Sequence, residues 1–256
     1  MKALRFKLVL NSLYSIRIPF TWQSALTYPI LPPSAVIGLC ANALQRLKND
    51  RHPLEYLKYL EEKVIWAGSR LLTPCVIKSY VTSTIVKWEG KPTNALGRQF
   101  AYARSLESLV VFNNDENLIR DLTDALISSP ITCGDSESPA YVDGKPEILD
   151  VTEVIAKEVE TVFPVPFTHQ MEIIQGRGQI YLMHERCYKR GDFFPLKSFI
   201  VPVKEDRGIL YPTSIKLRGE NLRVLNMREG LTVVITDETH KDPFKDKMVR
   251  KKSKNK

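Results

Sequence analysis

Residues 3–11 alternate strictly: Leu4, Phe6, Leu8 and Leu10 fall on one side, and Ala3, Arg5, Lys7, Val9 and Asn11 on the other. A period of two over this length predicts a half-buried strand with two positive charges on its outer face. Pro19, Pro29, Pro32 and Pro33 punctuate the next stretch, so residues 12–32 are a connector and not a helix. From Ser34, a candidate N-cap, Val36, Ile37, Cys40, Leu44 and Leu47 recur at helical spacing as far as Lys48. Gly38, Ala41 and Ala43 keep that helix thin enough to approach a sheet closely.

Residues 53–66 predict a second amphipathic helix with Pro53 in its first turn. Residues 75–88 are rich in β-branched side chains and predict a long strand. Residues 89–106 have no steady period and contain Gly90, Pro92 and Gly97, which predicts a protruding loop or ribbon. A short strand over 108–112, a helix over 115–128 introduced by Asn113, Asn114 and Asp115, and an edge strand over 131–133 complete the first half. With the helix at 53–66 set aside as an insertion, the order is βαββαβ, a ferredoxin-like (RRM-like) α+β arrangement.

Beyond about residue 150 the pattern becomes mostly antiparallel β. Strands are expected over 171–185, 198–204, 214–217, 222–227 and 231–236, with turns at Arg190-Gly191, Arg207-Gly208, Arg218-Gly219 and Glu229-Gly230. Gly176-Arg177-Gly178 lacks the third glycine and the strand–loop–helix setting of a phosphate loop, and predicts a hairpin turn. The expected division is therefore 1–150, a β-rich part over 151–240, and a tail over 241–256 too poor in apolar residues to fold alone.

Charge adds a direction to this outline. The 256-residue chain is +8 overall, but residues 1–120 hold 16 Lys+Arg against 8 Asp+Glu, residues 121–172 hold 11 acids against 2 bases, and the tail holds 8 bases against 2 acids. A basic first half suggests a polyanion partner. The acidic belt either meets a basic protein surface or solvates its own elements. No apolar run reaches the ~18 residues of a membrane span, and Arg5 and Lys7 interrupt any signal-peptide core. The expectation is a cytoplasmic protein with no membrane partner. Cys40, Cys75, Cys133 and Cys187 are widely spaced, with neither a CxxC pair nor a histidine at ligand spacing, so reduced thiols and no metal or other cofactor are expected.

The segment Tyr28-Pro29-Ile30-Leu31-Pro32-Pro33-Ser34-Ala35-Val36-Ile37-Gly38-Leu39, preceded by a strand and by Arg17, Pro19 and Phe20, resembles the N-terminal signature of the CRISPR-associated Cas-five family within the RAMP superfamily. Gly134-Asp135-Ser136-Glu137-Ser138 resembles a later segment of that family, and the chain looks closest to its archaeal type I-A form. The resemblance implies a ferredoxin-like RAMP domain and a subunit of the crRNA-guided Cascade complex in antiviral defence. Some members of the family cleave precursor crRNA without metal, but in the type I-A form a separate RAMP endoribonuclease usually does the cutting, so a non-catalytic subunit is expected. Such a subunit holds the 5′ handle of crRNA, caps the row of Cas-seven backbone subunits, contacts the large subunit and meets target DNA indirectly. It adds Arg17 to the candidate RNA-binding residues.

The residues themselves supply others. Arg5 and Lys7 could neutralise phosphates, or pair with acids beneath the β-rich part. Lys87, Lys91, Arg98 and Arg104 interleave with Trp88, Phe100 and Tyr102, a composition suited to a kinked single strand; a thumb-like projection of the family occupies this place, near 87–106. Amides from Ser34 onward could hold an anion or simply turn the chain. Residues 134–138 could touch ribose and phosphate, although two acids argue for a turn. A metal-independent endoribonuclease is the rival reading, through His184, Tyr188 and Lys189 as the acid–base set.

Overall fold

In a computed structural model, residues 1–21, 24–84, 94–187 and 196–235 are described. Strand β1 spans Lys2–Leu10 and β2 Ser24–Ala25, followed by helices α1, Pro33–Lys48, and α2, Pro53–Lys63. Strands β3 (Val64–Leu71), β4 (Cys75–Thr84), β5 (Asn94–Tyr102) and β6 (Ser105–Phe112) lead to helix α3, Glu116–Ser128. Then come β7 (Ile131–Thr132), β8 (Pro139–Val142), β9 (Glu147–Thr161), β10 (Val165–Pro166), β11 (Met171–Gly176) and β12 (Gln179–Met183). The last strands are β13 (Lys197–Val201), β14 (Val203–Asp206), β15 (Ile209–Pro212), β16 (Ile215–Met227) and β17 (Thr232–Ile235). The molecule is α+β, with mostly antiparallel pairing.

The central sheet runs β8–β1–β6–β3, each neighbour antiparallel. Its Leu4, Phe6 and Leu8 face meets α1 and α3 through Val36, Ile37, Cys40, Leu44, Leu118, Leu122 and Leu126, all buried. Its opposite face buries Ala3, Ile65, Trp66, Leu109 and Val111 against Phe163, Leu225, Met227 and Val233 of the C-terminal part. The sheet is thus covered on both sides, and the one-sided alternation of β1 survives only because its outer face carries Arg5 and Lys7. β9 crosses residue 150 without a break, pairing with β1 at its start and with β16 along the rest.

Several sequence expectations change. The helix expected over 53–66 ends at Lys63, and Val64–Leu71 is the second core strand. That strand is buried on both faces, so Val-Ile-Trp shows no alternation that would separate it from the helix before it. The helix expected from an N-cap at Ser34 starts at Pro33 with Pro32 as cap, and no side chain caps it; proline at the first position suits a helix start because its missing N–H would have no partner there. The αL residue Asn49 closes the other end, its N–H bonded to the Gln45 carbonyl. Asp115 does cap α3, accepting from the Leu118 amide.

The stretch over 171–185 is two strands in two sheets: β11 pairs with β16 and β12 with β13. Residues 176–178 therefore pass the chain between sheets and do not form a hairpin. Gly176 has φ +89 and packs on the Ser214 backbone so closely that a side chain would collide with it.

Candidate nucleic-acid interface

The second sheet runs β14–β15–β4–β5–β2 and carries the clearest concentration of exposed cations and aromatics. Its inner face is core: Cys75, Ala101 and Leu210 are buried with the α1 cluster, and Ile77 packs against them. Residues opposite one another in antiparallel strands share a face. The pairs Lys78↔Phe100, Tyr80↔Arg98 and Val76↔Tyr102 therefore all lie on the outer one. The stretch expected over 89–106 as a protruding loop or ribbon is, from Asn94 to Tyr102, a strand paired antiparallel with β4. Its apolar side is Gly97 and Ala101, too small to give an apolar alternation.

On this face the Arg98 guanidinium lies over the Phe100 ring, 4.6 Å from its centroid, and Tyr80 meets Phe100 edge-on at 5.8 Å. Arg98 also forms an ion pair with Asp135. Tyr80 and Tyr102 are each about half exposed, at 50% and 51%. Lys78 is exposed, with no ion-pair partner among the described residues. Arg104 comes next, exposed, its amide donating to Thr73 Oγ1 at 2.9 Å. Sequence reasoning gathered Arg98, Phe100, Tyr102 and Arg104 but missed Lys78 and Tyr80. The available signal was the alternation in Lys78-Ser79-Tyr80, which the β-branched character of its neighbours obscured.

The proline-rich connector holds this face in place. Tyr14 exchanges both backbone hydrogen bonds with Ala101, at 2.9 and 2.8 Å. Ser15 Oγ donates to the Gln99 carbonyl at 3.0 Å, the Gln99 side-chain oxygen accepts from the Thr27 amide at 3.2 Å, and β2 pairs in parallel with β5. The connector is in turn pinned to β3 by Ser69, whose Oγ accepts from the Leu31 amide at 2.8 Å and donates to the Leu31 carbonyl at 3.0 Å. Residues 134–138 turn against it: Ser138 Oγ donates to the Leu13 carbonyl at 2.9 Å and bonds to Asp135, the partner of Arg98. Asp135 and Ser138 of that segment thus support the sheet edge.

Other candidates lie elsewhere. Arg5 is held between Glu147 and Glu229, at 2.9 Å and 2.7 Å, and Lys7 pairs with Asp143 at 2.7 Å. Lys2–Asp150, Arg223–Glu153 and the Lys216/Arg218–Glu158 set extend the same pattern, so much of the acidic belt is neutralised by the chain's own bases. Arg17 is exposed and bridges to Thr27 on the connector. Lys87, Trp88 and Lys91 lie outside the described residues, as do Tyr188, Lys189, His240 and the tail.

His184 lies by a cleft of about 500 Å³ lined also by Ser34, Gly38, Asn42, Gly134 and Arg186. The Ser34 amide donates to the His184 carbonyl at 3.2 Å, and the Cys187 thiol donates to the Ser34 carbonyl at 2.6 Å. Arg186 donates to the carbonyls of Glu61 and Val64 at 3.3 and 3.0 Å. This segment therefore fastens the start of α1 to the α2–β3 junction. Burial lowers the His184 pKa, so its imidazole is neutral at pH 7, with Nδ1 buried and unpartnered among the described residues. Burial pushes the Cys187 thiol up to about 12 and leaves it protonated. Among the described residues no three His, Cys, Asp or Glu converge as a metal site. No helix there is long and apolar enough to cross a membrane.

A family model described as CRISPR-associated protein (Cas_Cas5) matches residues 4–157, more than half of the chain. No curated protein matches significantly. The crystal structure of a CRISPR protein from Archaeoglobus fulgidus is similar with a TM-score of 0.59 at 14% identity, covering 91% of this chain and 98% of that one. A chain in the cryo-EM structure of the type III-B Cmr-beta complex bound to cognate target RNA is similar at a TM-score of 0.47 and 10% identity, covering 83% and 86%. A RAMP protein described as binding different RNA substrates reaches 0.37 at 11% identity, covering 92% and 100%.

Proposed function

The chain belongs to the Cas5 family of CRISPR-associated proteins, and from that premise we propose that it is the crRNA-binding subunit of a Cascade-like surveillance complex. The observation that carries this reading is the outer face of β4–β5. Lys78, Arg98 and Arg104 supply positive charge beside Tyr80, Phe100 and Tyr102, the combination that tracks a phosphate backbone while stacking its bases. We read the β8–β1–β6–β3 order, with α1 and α3 on one face, as a ferredoxin-like domain. On that reading β4 and β5 project between its second and third strands, where the family's thumb stands.

The finer assignment is a cytoplasmic, archaeal type I-A-like complex in which this subunit grips the 5′ handle, caps the Cas-seven row and meets the large subunit, without cutting RNA itself. Supporting the binding role over the endoribonuclease reading, the backbone at His184 and Cys187 is tied to the start of α1, and the histidine Nδ1 is enclosed.

The test is incubation of the purified protein with labelled repeat RNA in EDTA. The expected result is a salt-dependent shift without cleavage. Arg98→Ala and Arg104→Ala should each reduce the slope of log affinity against log salt by about 0.7, the contribution of one phosphate contact to a single strand. Metal-independent cleavage lost in His184→Ala would overturn the non-catalytic assignment. Absence of RNA binding, alone and with the backbone subunit, would overturn the reading as a whole.

A further inference from the structure

The outer face of the second sheet does not end at β4. Ile209↔Val76 and Leu210↔Cys75 pair β15 with β4, and Leu210 and Cys75 point into the core. Ile209 is therefore on the outer side with Val76 and Lys78, and Tyr211, two residues on, is on that side too. Lys204 stands opposite Tyr211 across β14 and shares its face. Tyr211 is 38% exposed, and Lys204 is exposed with no ion-pair partner among the described residues. Crossing the sheet from β5 to β14, the outer face presents Arg98, Phe100 and Tyr102, then Tyr80 and Lys78, then Tyr211 and Lys204. The register sets Tyr211 one row beyond Tyr102, Val76 and Ile209, so the aromatics descend obliquely from Tyr80 through Phe100 and Tyr102 to Tyr211. The carboxylate on this face among the described residues of those four strands is Asp206, opposite Ile209.

We propose that β14 and β15 complete a stacking platform begun by β4 and β5, so that a single strand of RNA runs obliquely over the four strands with bases on Tyr80, Phe100, Tyr102 and Tyr211. Successive rows of this face lie two residues, or ~6.8 Å, apart along the strands, and each aromatic has a cation on its own or the adjacent strand. Stacking of this kind tolerates any base, because every base offers a π-face, and the lysines neutralise phosphates without reading sequence. The platform joins residues from the two halves of the chain. The C-terminal β-rich part thereby gains a direct role in holding RNA and not only in covering the central sheet. This inference rests on the RNA-binding reading above and extends it to a surface that reading does not use.

The experiment measures anisotropy of a short labelled oligouridylate and of the repeat RNA with the full chain and four variants: Tyr211→Ala, Tyr211→Phe, Lys204→Ala and Arg98→Ala. Tyr211→Ala should weaken both RNAs roughly 5- to 100-fold, while Tyr211→Phe, which keeps the ring, stays within about two-fold of the parent. Lys204→Ala should lower the salt slope by about 0.7. Melting temperatures of the variants establish that each is folded. If Arg98→Ala weakens binding while Tyr211→Ala and Lys204→Ala do not, the platform stops at β4, and this inference fails while the RNA-binding reading stands. If Tyr211→Ala binds RNA as the parent does but no longer co-purifies with a partner subunit, the face is a protein contact and the inference fails. If none of the variants alters RNA binding, both readings fall.

Discussion

Replacing Gly134 by alanine separates two costs that usually travel together. Gly134 adopts φ +91, and a Cβ there would lie well inside contact with the Ser15 carbonyl oxygen and 2.9 Å from Ile16 Cγ1. That oxygen has little freedom. Ser15 Oγ is bonded to Gln99, Tyr14 is paired with Ala101, and the Ile16 amide donates to Thr27 Oγ1 at 2.8 Å. Gly144, at φ +77, has nothing within 4 Å of the same imagined atom. Gly144→Ala therefore carries only the left-handed backbone strain, about 1 kcal/mol. Gly134→Ala adds an unrelieved clash against fixed backbone, for a sum of about 3 kcal/mol. For a chain of this size that is a fall in melting temperature of roughly 6–12 °C, against 2–4 °C for the Gly144 variant. Differential scanning fluorimetry of the two variants beside the parent decides the matter. Because the clash pushes on the connector that positions Arg98 and Phe100, Gly134→Ala should also weaken RNA binding, and Gly144→Ala should not. Equal melting temperatures for the two variants would refute the claim that residues 134–138 are packed on the connector.

Ser69→Ala should cost about 1–3 kcal/mol in denaturant unfolding, since it leaves the buried Leu31 amide without its acceptor. Arg5→Ala should lower stability yet leave RNA affinity within about two-fold, because its guanidinium is committed to Glu147 and Glu229. The Asp115 carboxyl is held below the usual carboxylate range, first by the Leu118 amide and then by Lys63. A depressed folded pKa contributes stability that is present above the unfolded value and is lost as pH falls through the folded one. Asp115→Asn, which keeps an acceptor at the helix start, should accordingly narrow the gap between melting temperatures measured at neutral and acid pH.

The elements legible in the sequence were those with one wet face or a chemical punctuation mark. β1 alternates because Arg5 and Lys7 break its outer side, α1 carries the apolar stripe Val36, Ile37, Cys40, Leu44 and Leu47 just after the prolines of the connector, and α3 is announced by Asp115. β3 was hidden because helices cover one of its faces and the C-terminal strands the other, so every position could be apolar. β5 showed only as a loop or ribbon for the opposite reason: its inner side is Gly97, Gln99 and Ala101, which register as absence of pattern. At the candidate site, Arg98, Phe100 and Tyr102 were visible as composition. That they share one face with Lys78, Tyr80 and Tyr211 depends on register between strands far apart in the chain, and no local pattern encodes that. The ion pairs likewise needed distant segments beside β1: β9 and residues 228–230 for Arg5, and Asp143 just after β8 for Lys7.

The most direct test of the central claim is photo-crosslinking of repeat RNA carrying 4-thiouridine in its 5′ handle, with the crosslinked peptides identified by mass spectrometry. Crosslinks on the peptides containing Lys78–Tyr80 and Arg98–Arg104 are the predicted result. Crosslinks confined to the helical face of α1 and α3, or to β9 and β16, would contradict it.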